Sequence, residues 1–192
     1  MPTYYAHSAE NRPQSDWQTL KSHAENVAAL AAQFAEPFGA ADIARYTGLL
    51  HDLGKYSDPF QLRLAGSPQR VDHATAGAKE TIARWKLMGK LMAYCIAGHH
   101  AGLANGSGEG KGRSTLQERL AAEVPPLNAV WQTEIPLPEH IAAPPLKPNP
   151  KYRGFTQAFF TRMLYSCLVD ADYLDTEAFY AKLENKTVER GD

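Results

Sequence analysis

The chain has 192 residues, two cysteines and a formal net charge of −1 at pH 7. That length fits one domain with a proper core. The near-neutral balance excludes a globally basic nucleic-acid-coating protein, though a local groove can still be basic. The opening stretch MPTYYAHSAENRPQ has no apolar run and no segment approaches a membrane span, so no membrane partner is expected. Cys95 and Cys167 read as buried free thiols in a reducing compartment, and the protein as cytoplasmic.

Helix signals dominate from the start. Ser15 or Asp16 is placed to cap a helix from about Trp17 to Glu36, with Leu20, Val27, Leu30, Ala31 and Phe34 at helical spacing. Pro37 and Gly39 end it. A second helix is expected from about Ala40 to Leu53, running into His51-Asp52-Leu53-Gly54-Lys55 with Gly54 as its breaker. A short helix follows Pro59. Asp72 caps a helix from His73 to about Met88, and another runs from about Lys90 to Gly98. Asn105 to Gly112 is glycine-rich and reads as a mobile loop. A short helix spans Thr115 to Ala122. Residues 124–150 hold eight prolines and read as an irregular, partly polyproline insertion. The last helices are expected from Gly154 to Asp172 and from Thr176 to Glu184. No alternating strand pattern and no repeat is found. The fold class is therefore all-α, in one domain over residues 1–192.

The chemistry lies in the histidines. Of seven, five join an Asp-containing pattern: His23, the adjacent pair His51-Asp52, His73, His99 and His100, with a late aspartate. Imidazole nitrogen and carboxylate oxygen suit borderline divalent metals. Every candidate sits on a helix or at a helix end, and a helical bundle can bring such side chains together in its interior. Six or seven donors exceed what one ion takes, so two ions are expected, bridged by Asp52. Lys55 follows one turn later as a point charge for a phosphate oxygen. Any one of these histidines alone would more often be a surface or core residue; the joint pattern carries the argument. His7 and His140 fall outside it, His140 as a surface residue of the insertion and His7 without a metal role.

Two features are set aside. Gly106 to Gly112 resembles a phosphate loop, but no strand precedes it and no Ser or Thr follows its lysine. Phe155, Phe159, Phe160 and Tyr165 recur at helical spacing, which reads as core and not as a base-stacking platform.

His23, the pair in Leu50-His51-Asp52-Leu53-Gly54-Lys55 and the late aspartate resemble the HD metal-dependent phosphohydrolase superfamily. Further segments narrow the likeness. They are Tyr5-Ala6-His7-Ser8, Asp72-His73-Ala74, Gly98-His99-His100-Ala101-Gly102 and Leu168 to Glu177. Together they resemble the HD nuclease domain of the CRISPR-associated type I helicase-nuclease over nearly the whole chain. The resemblance implies an HD-type helical bundle with a proline-rich insertion. It implies one metal on His23, His51, Asp52 and the late aspartate, and a second on Asp52, His73, His99 and His100. The Ala-Asp-aromatic-Leu context favours Asp172, with Asp170 as the alternative; the two are about 200° apart on a helix and would not both reach one ion.

By the same resemblance, the expected function is a metal-dependent nuclease. It would cut single-stranded DNA with a metal-activated water, alongside a superfamily 2 helicase and an RNA-guided surveillance complex. The two divalent ions would be manganese, nickel, cobalt, iron or magnesium. A second reading is an HD phosphohydrolase acting on nucleotides or cyclic nucleotides. A closed base-reading pocket would mark it, against an open groove with residues such as Lys55, Arg63, Arg70 and Lys79. A third is a binding module whose metal is structural, which would close its coordination sphere.

Overall fold

The computed structural model describes residues 2–108, 114–147 and 149–188, Arg153 by its backbone alone. Among these are seven α-helices and one two-stranded sheet, so the all-α class holds. No described helix is long and apolar enough to cross a membrane. Half of the glycine-rich stretch expected to be mobile, residues 109–112, lies outside the described residues.

The first helix starts later than its sequence pattern suggests. β1 (Tyr5–His7) pairs antiparallel with β2 (Gln18–Thr19), with Tyr5 opposite Thr19. Trp17 sets its edge on Tyr5 at 5.5 Å, which draws this stretch into extended backbone. Ser15 and Asp16 form only a single 3₁₀ turn. Thr19 is the real cap of α1 (Leu20–Ala35), its Oγ1 accepting from the Ser22 amide.

α1 buries a stripe of small residues, among them Ala24, Ala28, Ala31 and Ala35. This lets α2 (Ala41–Leu50) approach closely. A Cβ on Gly48 would lie 2.8 Å from the Ala28 Cα. The core closes with Leu20, Val27, Ile43, Leu50, Met92, Ile96, Leu164 and Leu168.

After α2 the chain makes a tight 3₁₀ turn, Leu53–Tyr56. Gly54 does not end the helix in a left-handed conformation, as its position suggested. It lies buried inside this turn because the backbone of His73 passes against it. The Gly54 amide donates to the His73 carbonyl at 2.9 Å, and a Cβ there would be 2.5 Å from the His73 Cα. α3 (Asp58–Leu64) carries Pro59 in its first turn, where a missing N–H costs nothing.

Asp72 caps α4 (Ala74–Gly98), its Oδ1 accepting from the amides of Ala74 and Thr75. The backbone leaves helical geometry at Lys86 (φ 50°, ψ −113°). Thr81 Oγ1 reaches the Gly89 carbonyl at 3.0 Å. In a straight helix these residues would be about 12 Å apart. The chain therefore turns back at Lys86, giving two helical runs as the sequence suggests, with the break at Lys86.

α5 (Leu116–Ala121) begins in a reciprocal capping box between Thr115 and Glu118. The proline-rich insertion is less irregular than expected. It holds α6 (Val130–Glu134), which buries Val130 and Trp131. Glu134 accepts a hydrogen bond from Tyr56 at 2.8 Å, buttressing the turn that follows Asp52. α7 (Arg153–Leu183) runs unbroken through Asp172–Thr176, where two helices were expected. Phe160 is buried and Tyr165 half-buried, but Phe155 and Phe159 are 71% and 55% exposed. Both were expected in the core; the N-terminal half of α7 packs on one side only.

Candidate metal centre

Five chain segments deliver the centre. His23 comes from the second turn of α1, His51-Asp52 from the end of α2, His73 from the residue before α4, and His99-His100 from its end. α7 contributes Asp172. Gly48, Gly54 and Gly77 allow the approach. A Cβ on Gly77 would strike the Leu50 carbonyl, so the start of α4 lies directly on the end of α2.

Two donor groups result, and they share Asp52. In the first, His23 Nε2 lies 3.2 Å from His51 Nε2, 3.4 Å from Asp52 Oδ2 and 3.3 Å from Asp172 Oδ1. His51 Nε2 is 3.3 Å from Asp52 Oδ2. In the second, Asp52 Oδ1 is 3.5 Å from both His73 Nε2 and His99 Nε2, and His100 completes the set. The donor atoms of His23, His51 and Asp52 fall within 4.8 Å of one another, as do those of Asp52, His73, His99 and His100, close enough to hold an ion; Asp172 does so with His51 and His99. Of the two late aspartates, Asp172 enters the cluster. Asp170 is exposed beside Phe34 and Tyr173.

The donor chemistry passes a further test. Asp52 Oδ1, His73 Nε2 and His99 Nε2 are buried and have no hydrogen-bond partner. Buried polar atoms are nearly always satisfied. Three orphans of ligand type converging on one point fit a divalent cation, which would satisfy all three.

The far ring nitrogens are fixed. His51 Nδ1 donates to the Gly48 carbonyl and His99 Nδ1 to the Ile96 carbonyl, each at 2.7 Å. His23 Nδ1 is 2.6 Å from Asp175 Oδ2. Asp175 in turn accepts from Gln18 and Asn26, each at 2.7 Å. These bonds leave the Nε2 atoms to face the centre. Asp175, Gln18 and Asn26 were not singled out by role from the sequence. The available signal was the three-residue step from Asp172 to Asp175, which puts both on one helix face.

Charge divides the two groups. Burial opposes protonation of His23 and His51, but Asp52, Asp172 and, for His23, Asp175 outweigh it and raise them to about 9 and about 10. At His73 and His100 burial prevails, pushing each down to about 4 despite the attraction of Asp52. Asp52 is held well below the carboxylate range, its burial outweighed by His51 and Lys55. Without metal, the first group is thus proton-filled while His73 and His100 are neutral.

Lys55 is buried. Its Nζ sits 2.6 Å from Asp52 Oδ2 and 3.2 Å from the Ala6 carbonyl. The cation facing the surface at the centre is instead Arg119, from α5. It lines a cavity of about 160 Å³ with His73, His100 and Asp72, and donates to the Ala97 carbonyl at 2.7 Å. Of the other groove residues expected, Lys79 bonds the Ala122 carbonyl and Arg63 the Gln69 carbonyl. His7 packs edge-on against His23 at 4.8 Å, and His140 is exposed. A larger cavity of about 670 Å³ lies behind the centre, where Asp175 meets Trp17, Arg12 and Lys182; no donor of either metal group lines it.

A comparison with curated proteins gives no significant match. The HD domain profile matches residues 20–134, which is more than half the chain and includes His23, His51, Asp52, His73, His99 and His100. The chain belongs to the HD-domain family of metal-dependent hydrolases.

Proposed function

We propose that this chain is a metal-dependent nuclease of single-stranded DNA. In this reading it serves target degradation in type I CRISPR interference, working with a superfamily 2 helicase and an RNA-guided surveillance complex. The observation that carries the reading is the pair of donor groups joined through Asp52, the first with both histidines fully buried and the second reaching the surface at His100. His23, His51, Asp52 and Asp172 would hold one divalent ion, and Asp52, His73, His99 and His100 the other. Such ions would supply charge neutralisation at the phosphoryl oxygens and lower the pKa of a water. Lys55 balances Asp52 from the buried side, and Arg119 stands at the rim as a contact for a phosphate oxygen.

The size of the opening supports a polymer over a free nucleotide. Pockets that enclose a small ligand measure about 300–1,000 Å³. The cavity beside His73 and His100 is about 160 Å³, room for a phosphate but not for an enclosed base and sugar. A strand can lay one phosphate there and keep its bases outside. The same smallness weighs against the nucleotide phosphohydrolase.

Cleavage of circular single-stranded DNA tests the proposal, with manganese, nickel, cobalt, iron(II) or magnesium supplied in turn. Metal-dependent linearisation, lost in Asp52→Ala, is expected. Hydrolysis of free nucleotides with an intact circle would replace this reading with the nucleotide one.

A further inference from the structure

The chain is acidic on balance, yet its acidic residues are absent from two stretches: between Glu80 and Glu109, and between Glu139 and Asp170. The fold brings these two stretches together. The second run of α4 and the first half of α7 pack side by side, and between them lies a cavity of about 400 Å³ lined by Leu87, Lys90, Tyr94 and Arg162. Lys90, Lys151 and Arg162 are exposed and form no ion pair among the described residues. On the same half of α7, Phe155 and Phe159 stack at 6.0 Å with their planes 16° apart, both largely in solvent.

Exposed aromatic rings followed by cations without ion-pair partners, on two runs that carry no acid, are what a single strand needs: bases stack on the rings and phosphates meet the charges. We propose that this face binds single-stranded nucleic acid as a second, non-catalytic contact. It adds to the proposed action on single-stranded DNA and rests on that reading for its purpose. The face connects to the centre by two routes. Along α4, Lys90 precedes His99 by nine residues, about 14 Å. Along α7, Phe159 precedes Asp172 by thirteen, about 20 Å. A strand held on Phe155 and Phe159 therefore reaches the metals only if it is longer than about six stacked nucleotides.

The test is anisotropy of a fluorescein-labelled dT20 oligonucleotide with the full chain in EDTA, where no cleavage occurs. Phe155→Ala/Phe159→Ala and Lys90→Glu/Arg162→Glu should each weaken binding at least ten-fold. The charge variant should also flatten the salt dependence. Lys21→Glu/Arg45→Glu makes the same charge change on α1 and α2, and should stay within two-fold of wild type. All these side chains are exposed, so thermal unfolding should be unaltered. Binding by the aromatic variant within two-fold of wild type would overturn the proposal. So would equal affinity for a duplex of the same length, or loss in that variant of self-association instead of DNA binding. Hydrolysis of bis(p-nitrophenyl) phosphate by wild type with metal reads the centre separately. Failure there with intact dT20 binding would sink the nuclease reading and leave the binding face standing.

Discussion

The carboxylate of Asp175 lies 2.6 Å from Nδ1 of His23, and it is the only carboxylate among the described residues that bonds the far nitrogen of a candidate ligand. His51 and His99 lean on backbone carbonyls, which no side-chain substitution removes. His23 is therefore the ligand whose support can be tested. Losing such a partner typically costs 10–100-fold in metal affinity. Asp175→Ala should weaken one of two metal sites by about that factor in calorimetric titration, with the other unchanged. Asp175→Asn, which still accepts a hydrogen bond, should recover part of it. Two unchanged sites in Asp175→Ala would refute the role.

Asp52 Oδ2 faces three cations: His23, His51 and Lys55. Asp52→Ala should abolish turnover and reduce bound metal. It should also destabilise the metal-free protein by about 3 kcal/mol, because Lys55 is left buried without its partner. Adding Lys55→Met removes that stranded charge. The double variant should regain most of the unfolding free energy in urea and none of the activity. Equal stability of the single and double variants would show that Lys55 finds water instead.

Much of this was legible in the sequence, because metal donors are rare residue types placed at helix ends. His51-Asp52 and His99-His100 follow helical runs that periodicity reveals; periodicity alone left Asp170 and Asp172 open, because apolar residues flank both. What was not legible depended on distant chain. Trp17 and Thr19 carry helical-looking neighbours, but pairing with Tyr5 makes them extended. Gly54 looks like a helix stop, and its true constraint is the His73 backbone nineteen residues on. Lys55 reads as a surface point charge until Ala6 and the turn close over it. Phe155 and Phe159 keep core-like spacing on a helix face that nothing described covers.

The metal-free protein should lose stability toward alkaline pH. His23 and His51 titrate near 6.5 when unfolded and at about 9 and about 10 when folded. A raised folded value means the folded state binds the proton more tightly. That stabilisation is full below about pH 6.5 and fades as pH rises through 9 to 10. On the acid side Asp52 and Asp172 are held low, so their contribution is present above about pH 4 and lost below it. His7, His73 and His100, held at about 3, about 4 and about 4 when folded, add stability that is lost as pH falls below about 6.5. Melting temperature without metal should therefore peak at about pH 6.5. With saturating metal, the ions replace these protons and the alkaline decline should vanish. An identical pH profile with and without metal would contradict the assignment of His23 and His51 as ligands.

Gly54 offers the sharpest separation of the two ions. A Cβ there would overlap the His73 backbone, whose carbonyl accepts from the Gly54 amide. Gly54→Ala must push His73 outward, while His23, His51 and Asp172 sit on other elements. Overpacking of this kind costs about 1–3 kcal/mol. Metal analysis after dialysis should find the variant near one ion per chain where wild type holds two. Cleavage should fall more than 100-fold, because a displacement of about 1 Å at a catalytic ligand already costs that much. Retention of two ions at wild-type affinity would mean that His73 is not held in place by this glycine.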